Sequence, residues 1–590
     1  MAPQSSPATG YTRTGKEIAS VMRSWRLGIL TSLLALSVLA LAGRLAHIQL
    51  RDRQVYLAQA EEEHLGRQTL LGRRGAILDR NGSPLAVSVD TYDVYVSRKL
   101  WQDTRAAQEG AKALAPFVKL TPEEIIARAA AGPAEAVVAR DIEQATGEAI
   151  ASLRPLGVRL VPSSRRFYPE GNLVAPLLGF IGRDKVGLTG LEADLEDPLR
   201  GQPGFITYER DGAGRTIPLG HLQGAPPQPG ADVVLTIDRY LQKLAEEGLA
   251  KAIRDNGAKG GDLIVIDTRT GEILAMASYP SFDPANPNAD GDGRMALFKN
   301  RALTDIYEPG SIFKLITAAG ALNEGLVTPN SSYVDTGKVV VDGWPIFNWD
   351  YSANGPQTVT QLLSKSLNTG AIWLAQLLAP ERFYQYVQAF GFGQPTGIGL
   401  HGEAAGYYRT PSVQGWSKAD LAVNSFGQGI GATPLQMAAA VAAIANEGKL
   451  MRPYVVKELT GPQGRRVYEP QVVRQVIKPE AAKALTRIMT EAVEGVSWHP
   501  ARVPGYTVAG KTGTANIPVE GRYDAARVIA SFAGFAPAED PRLVVLVKID
   551  EPQKSPWGTT VAAPVFQQLV QRGMAYLNIA PQKPTLVQRP

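Results

Sequence analysis

Hydrophobic and polar positions follow several different periods along this chain, and each period predicts an element. From Leu27 to Gly43 no charge interrupts a run of mostly Leu, Ala, Val and Ile. The apolar trend continues past Arg44 through Leu45, Ala46, Ile48 and Leu50. This predicts one helix over residues 27–49, about 35 Å long, enough to cross a bilayer with Arg44 snorkelling to the surface. Residues 50–230 then mix short strand-like runs with polar helices. Residues 73–82 read as an extended segment closing in Asn81-Gly82, a strong hairpin signal. Residues 100–155, rich in Ala and Glu at helical spacing, predict an inserted head subdomain. The Gly- and Pro-rich stretch 224–230 marks a loop and a domain boundary.

Beyond that loop, residues 262–267, a Thr-Gly turn and residues 272–278 predict a β-hairpin. Strand patterns return at 506–515, 527–535 and 542–549. Helical stretches lie between, among them 434–447 with Thr433 as its cap, and 561–577 closes the pattern. The 434–447 segment is nearly all apolar but too short for a second span. A leading hairpin, an all-helical middle and trailing strands predict one antiparallel sheet with helices segregated around it, an α+β domain over 231–578. Residues 579–590 remain as a C-terminal tail.

Composition narrows the function classes. At 44% hydrophobic and 20% charged, the chain can bury large cores. A net charge of +5 without any basic block gives a nucleic-acid role little support. The absence of cysteine removes thiol catalysis, disulfides and cysteine-ligated metals. His47, His64, His221, His401 and His499 lack ligand spacing and are expected to be solvated or packed. Arg13, Lys16, Arg23 and Arg26 against Glu17 place a tail, 1–26, in the cytoplasm. Ala40-Leu41-Ala42 fits a signal-peptide cleavage site, but the apolar pattern runs past it and favours a retained anchor. Either way the remainder is exported.

The candidate chemistry is Ser311-Ile312-Phe313-Lys314 at the mouth of an apolar helix, where residues three apart share a face. A lysine amine so placed can take the serine proton. Ser366-Leu367-Asn368 and Lys511-Thr512-Gly513 follow in order. Taken alone, Ser366 and Asn368 read equally well as a helix N-cap. The three motifs together resemble the signature of penicillin-binding proteins and serine β-lactamases. Residues 73–82, Arg166-Phe167-Tyr168-Pro169 and residues 187–192 resemble pedestal motifs of class B penicillin-binding proteins. Nothing resembles the glycosyltransferase domain of the class A proteins.

That resemblance implies a pedestal over 50–230 and a transpeptidase domain over 231–578. It implies Ser311 as nucleophile, Lys314 as its base, and Lys511 as a cation that keeps Lys314 neutral and holds the substrate carboxylate. Thr512 and Thr514 would add hydroxyl contacts beside Gly513, and Ser366 would relay a proton to the leaving amine. Asn368 would orient the substrate amide, the Ser311 and Thr514 N–H groups would form the oxyanion hole, and Gly427 would line the cleft. The implied reaction cross-links peptidoglycan stem peptides, with β-lactams as mimics and no metal or organic cofactor. A SEDS-family glycan polymerase and other divisome or elongasome proteins are the implied partners. The C-terminal run 530–537, 542–552 and 563–566 resembles the division type more than the elongation type.

Other readings fit less. Residues 505–512 match the phosphate-loop pattern G-x-x-x-x-G-K-T, but Gly-Thr-Ala-Asn-Ile-Pro follows and cannot open the helix that a phosphate loop needs. A serine β-lactamase would be smaller, without a pedestal, and the E-x-x-L-N pattern is absent between Asn368 and Lys511. A β-lactam sensor would need more cytoplasmic output than the tail offers.

Overall fold

A computed structural model describes residues 15–57, 65–132, 135–209, 223–287, 294–519 and 522–583. The start of the expected tail with Arg13, residues His64 and His221, and the end of the C-terminal tail lie outside the described residues. The chain divides into two units, 1–70 with 203–227 and 71–202 with 228–590.

The first unit holds the long helix Gly15–Ala46, which runs on as a π-turn, His47–Arg51. It begins well before the expected position 27, so the second half of the expected tail is helical. The stretch Trp25–Arg51, whose most apolar 18 residues have a mean hydropathy of 2.0, is long and apolar enough to cross a membrane by length and composition. Leu30, Leu34 and Leu41 are exposed along it, so no protein core covers the helix. Strands Leu65–Leu70, Gly204–Glu209 and Gln223–Ala225 form a small sheet, the last lying in the expected boundary loop.

In the second unit, Ile77–Leu78 and Pro84–Ser97 make the expected hairpin. The Asp79 carboxylate fixes its turn by accepting from the Asn81 and Ser83 N–H groups at 2.9 and 2.7 Å. These strands belong to a larger sheet that also takes Asp232–Leu235, Val456–Gly461 and Gly464–Val467. The sheet therefore crosses the boundary expected near 230, because pairing between strands so far apart in sequence leaves no local signal. Helices Thr104–Val118, Pro122–Ala131 and Gln144–Leu153 bury Leu114, Ile125 and Ile150 against the outer end of the hairpin strand. Glu135–Glu143, expected to be helical, is a strand whose buried Ala136 and Val138 alternate with more exposed neighbours.

The three segments read as pedestal motifs meet in one buried ion cluster. Glu192, fully buried, accepts from Arg74 Nε at 2.7 Å and Arg166 Nε at 2.6 Å, and Arg74 Nη1 reaches Glu196 at 2.6 Å. Removing one member of such a cluster strands a buried charge, at a cost of about 3–5 kcal/mol.

The C-terminal half is built on a five-stranded antiparallel sheet in the order Ile273–Tyr279, Gly260–Asp267, Leu543–Asp550, Arg522–Ala536, Ala509–Val519. Ile264, Ile266, Val544 and Leu546 point to one face, and Leu263, Val265, Val545 and Val547 to the other, as a period of two demands. Helices Arg239–Asn256 and Ala563–Tyr576 cover the second face, while Lys314–Asn323, Pro434–Ala445 and Pro479–Glu494 cover the first. Thr433 and Gln436 form a reciprocal capping box at the start of Pro434–Ala445. The middle is not helical throughout. Ser332–Asp335 pairs with Gly355–Thr358, Lys338–Val341 with Trp344–Phe347, and Lys449–Met451 with Val472–Gln475. Strands of three or four residues are too short to leave a readable period.

Candidate active site

Ser311 sits in a 3-10 turn, Gly310–Phe313, that leads directly into the helix Lys314–Asn323. In such a turn residues i and i+3 eclipse, so Ser311 and Lys314 align more directly than on the α-helix expected. Lys314 Nζ lies 3.0 Å from Ser311 Oγ, 2.6 Å from the Ser366 carbonyl oxygen and 3.3 Å from Ser366 Oγ. Lys511 Nζ lies 2.9 Å from the same Ser366 Oγ and 3.2 Å from the Thr512 carbonyl. Hydrogen bonds thus link Ser311, Lys314, Ser366 and Lys511 in one chain.

Ser366 is not an N-cap. It ends the helix Val359–Lys365 in the left-handed region, at φ +59°, and its N–H donates back to Leu363. A serine held there is strained, and the position suits glycine better. The strand Ala509–Val519 carries Lys511, Thr512 and Thr514, and it continues as a strand where a phosphate loop would open a helix. Gly513 lets this strand approach the nucleophile turn, since a Cβ there would meet Ile312 Cγ1 and the Pro309 carbonyl at 3.0 Å.

Burial sets the electrostatics. Lys314 is wholly buried and Lys511 nearly so. Loss of solvent and then the Lys511 charge hold the Lys314 amine well below its usual range. Burial brings Lys511 down to about 7. His499 falls to about 4, through burial first and then the Lys511 charge.

A cavity of about 580 Å³ opens over this chain of hydrogen bonds. Ser311, Ser366, Lys511, Thr512 and Thr514 line it, as do Trp349, Trp557, Asp350 and His499. Four of the expected site residues, Lys314, Asn368, Gly427 and Gly513, are not on that lining, although Lys314 belongs to the hydrogen-bond chain beneath it. Gly427 packs behind the nucleophile turn, accepting the Gly310 N–H at 3.1 Å, and a Cβ on it would stand 2.3 Å from the Gly310 carbonyl. It supports the turn and does not line this cavity. Gly513 is likewise structural, and the Asn368 side-chain amide is held by the Phe347 carbonyl at 2.8 Å. Sequence reasoning missed Trp349, Trp557 and the cavity position of His499, because no motif ties residues from separate segments together.

Comparison with known proteins gives the family. Residues 261–571 match the penicillin binding protein transpeptidase domain. The chain belongs to the penicillin-binding protein transpeptidase family. Residues 69–235 match the penicillin-binding protein dimerisation domain, the pairing found in class B proteins. The peptidoglycan D,D-transpeptidase FtsI of Escherichia coli is 34% identical over 95% of this chain and 93% of its own length. Stage V sporulation protein D of Bacillus subtilis is 35% identical over 86% of this chain and 79% of its own. Among solved structures, a peptidoglycan synthetase from Bifidobacterium adolescentis superposes with a TM-score of 0.71 at 28% identity, covering 88% of this chain and 98% of that one. As in those penicillin-binding proteins, an α+β transpeptidase domain follows the dimerisation domain.

Proposed function

We propose that this penicillin-binding protein is a membrane-anchored peptidoglycan D,D-transpeptidase that works through an acyl-Ser311 intermediate. The observation that carries the reading is the unbroken chain from Ser311 through Lys314 and Ser366 to Lys511. Neutral Lys314 takes the hydroxyl proton as Ser311 Oγ attacks the carbonyl of the D-Ala–D-Ala bond. Ser366 passes a proton to the departing D-Ala amine, and Lys511 with Thr512 and Thr514 holds the terminal carboxylate. The Ser311 and Thr514 N–H groups stabilise the oxyanion, each worth about 2.7–4 kcal/mol of barrier. A side-chain amine of a second stem peptide then takes the acyl group.

The surroundings of Ser311 favour transfer over hydrolysis. Asp350 is the one carboxylate on the cavity lining among the described residues, and both its oxygens accept from Ser352. Those hydrogen bonds hold its carboxyl below the usual range, which makes it a poor base for water. Penicillin is therefore expected to leave a long-lived adduct on the tryptic peptide containing Ser311, detected by mass. An adduct on another peptide, or release within seconds, would sink this assignment.

Acylation requires Lys314 neutral and Lys511 charged, so its second-order rate constant should be bell-shaped in pH. The acid limb falls as Lys314 gains a proton, and the alkaline limb falls as Lys511 loses one near 7. Bound substrate carboxylate raises the Lys511 pKa, so the alkaline limb of kcat should lie higher than that of kcat/KM. A flat profile from roughly pH 5 to pH 9 contradicts this pairing of roles.

We place the N-terminus in the cytoplasm and the catalytic domain outside the inner membrane, on the basic residues before Trp25. The C-terminal run supports a division role over elongation, with Ala40 and Gly43 on the helix offering a close-packing face to a SEDS-family polymerase. Depletion in the host is expected to give filaments with blocked septa. Rounded cells that still divide would refute the division role.

A further inference from the structure

Of the seven tryptophans of the second unit, Trp344 is 70% exposed on the strand Trp344–Phe347 and lies off the cavity, and the other six fall into two groups. Trp101, Trp373 and Trp416 are packed: Trp101 and Trp416 donate indole hydrogen bonds at 2.9 Å, and Trp373 stacks on Tyr333. Trp349, Trp498 and Trp557 are 54%, 75% and 43% exposed, and all three line the cavity over Ser311. Large aromatic surface left in water on a rigid support marks a place where a ligand covers it.

The support is rigid. Trp349 and Trp557 meet edge to face at 5.2 Å, and the Trp349 indole N–H donates to the Lys365 carbonyl at 3.2 Å. Two residues further on, Tyr351 meets Phe347 at 5.3 Å, and both are exposed without lining the cavity. This second aromatic pair flanks Trp349 at two residues on either side along the chain, just outside the cavity. Asp350, Asn354 and Lys365 stand along the same rim with hydrogen-bonding groups.

What lies there depends on the transpeptidase reading, on which this step rests. A stem peptide is short, and four extended residues reach at most about 14 Å from the acylated serine. Beyond them the substrate is a strand of amino sugars. The peptide is made of small and charged residues, with no flat apolar face to set against an indole. A pyranose ring has one in its C–H face, and its hydroxyl and acetamide groups suit a carboxylate, an amide and an amine at the rim. We propose that Trp349 and Trp557, continued by Phe347 and Tyr351, bind the amino-sugar strand that carries the stem peptide and so position it over Ser311.

The test uses the full chain in detergent micelles, titrated with a peptide-free β-1,4-linked N-acetylglucosamine hexamer and followed by calorimetry and tryptophan emission. Saturable binding is expected, weakened about tenfold or more in Trp349→Ala and in Tyr351→Ala, with melting temperatures showing that both variants fold. No binding by the unaltered chain, or binding undiminished in both folded variants, overturns the proposal. Penicillin labelling of the same sample separates the two readings. Labelling without hexamer binding removes the strand site and leaves the transpeptidase, whereas hexamer binding without labelling does the reverse.

Discussion

Lys314→Arg is expected to abolish penicillin labelling as completely as Ser311→Ala, whereas Lys511→Arg is expected to keep a measurable part of it. The contrast follows from the chemistry of the two cations. Lys314 acts as a base, so it must spend time without its proton. Complete burial and the neighbouring Lys511 charge make that state accessible to a lysine. A guanidinium does not lose its proton in a protein, so arginine leaves Ser311 without a base. General-base catalysis contributes about 10²–10⁴ in rate, and a bulky charged fork in a closed space costs more. Lys511 is asked mainly to be positive, which arginine satisfies, though its planar fork fits Ser366 Oγ and Thr512 less well. Fluorescent penicillin labelling over time, scored on a gel, reads all three variants. Equal loss at both lysines would show that the division of roles is wrong.

The parts of this site legible in the sequence were those carried by one short segment each. Ser311 and Lys314 lie three apart, and the Lys511 strand reads as a strand with or without its motif. Short β-branched apolar runs bounded by turns made Gly260–Asp267 and Leu543–Asp550 visible even though both are buried on both faces, and the Thr433 capping box marked its helix within two residues. Relations between segments were not legible. Nothing local shows that Val456–Gly461 joins a sheet begun at Ile77, or that Trp349 meets Trp557. Gly427 illustrates the same limit in a motif residue. Resemblance placed it on the cleft, while its positive φ and its contact with Gly310 give it a supporting place behind the nucleophile.

Ser366→Gly is expected to slow acylation by about 10²–10³ while leaving the protein at least as stable as Ser366→Ala. The backbone argument and the chemical argument point in opposite directions here, which makes the pair informative. At φ +59° a side chain with a Cβ costs about 1–2 kcal/mol that glycine avoids. The greater freedom of glycine in the unfolded chain offsets part of that gain, by about 0.5–1 kcal/mol. The folded lysines keep other partners when the hydroxyl is lost, since Lys314 still reaches Ser311 Oγ and the Ser366 carbonyl, and Lys511 the Thr512 carbonyl. Stability should therefore rank glycine at or above alanine in thermal melts. Acylation should fall in both, because neither can bridge the two amines. A glycine variant within tenfold of the natural rate would remove Ser366 from the proton path. A glycine variant melting below alanine would show that the left-handed turn carries no strain, and that serine stands there for its hydroxyl alone.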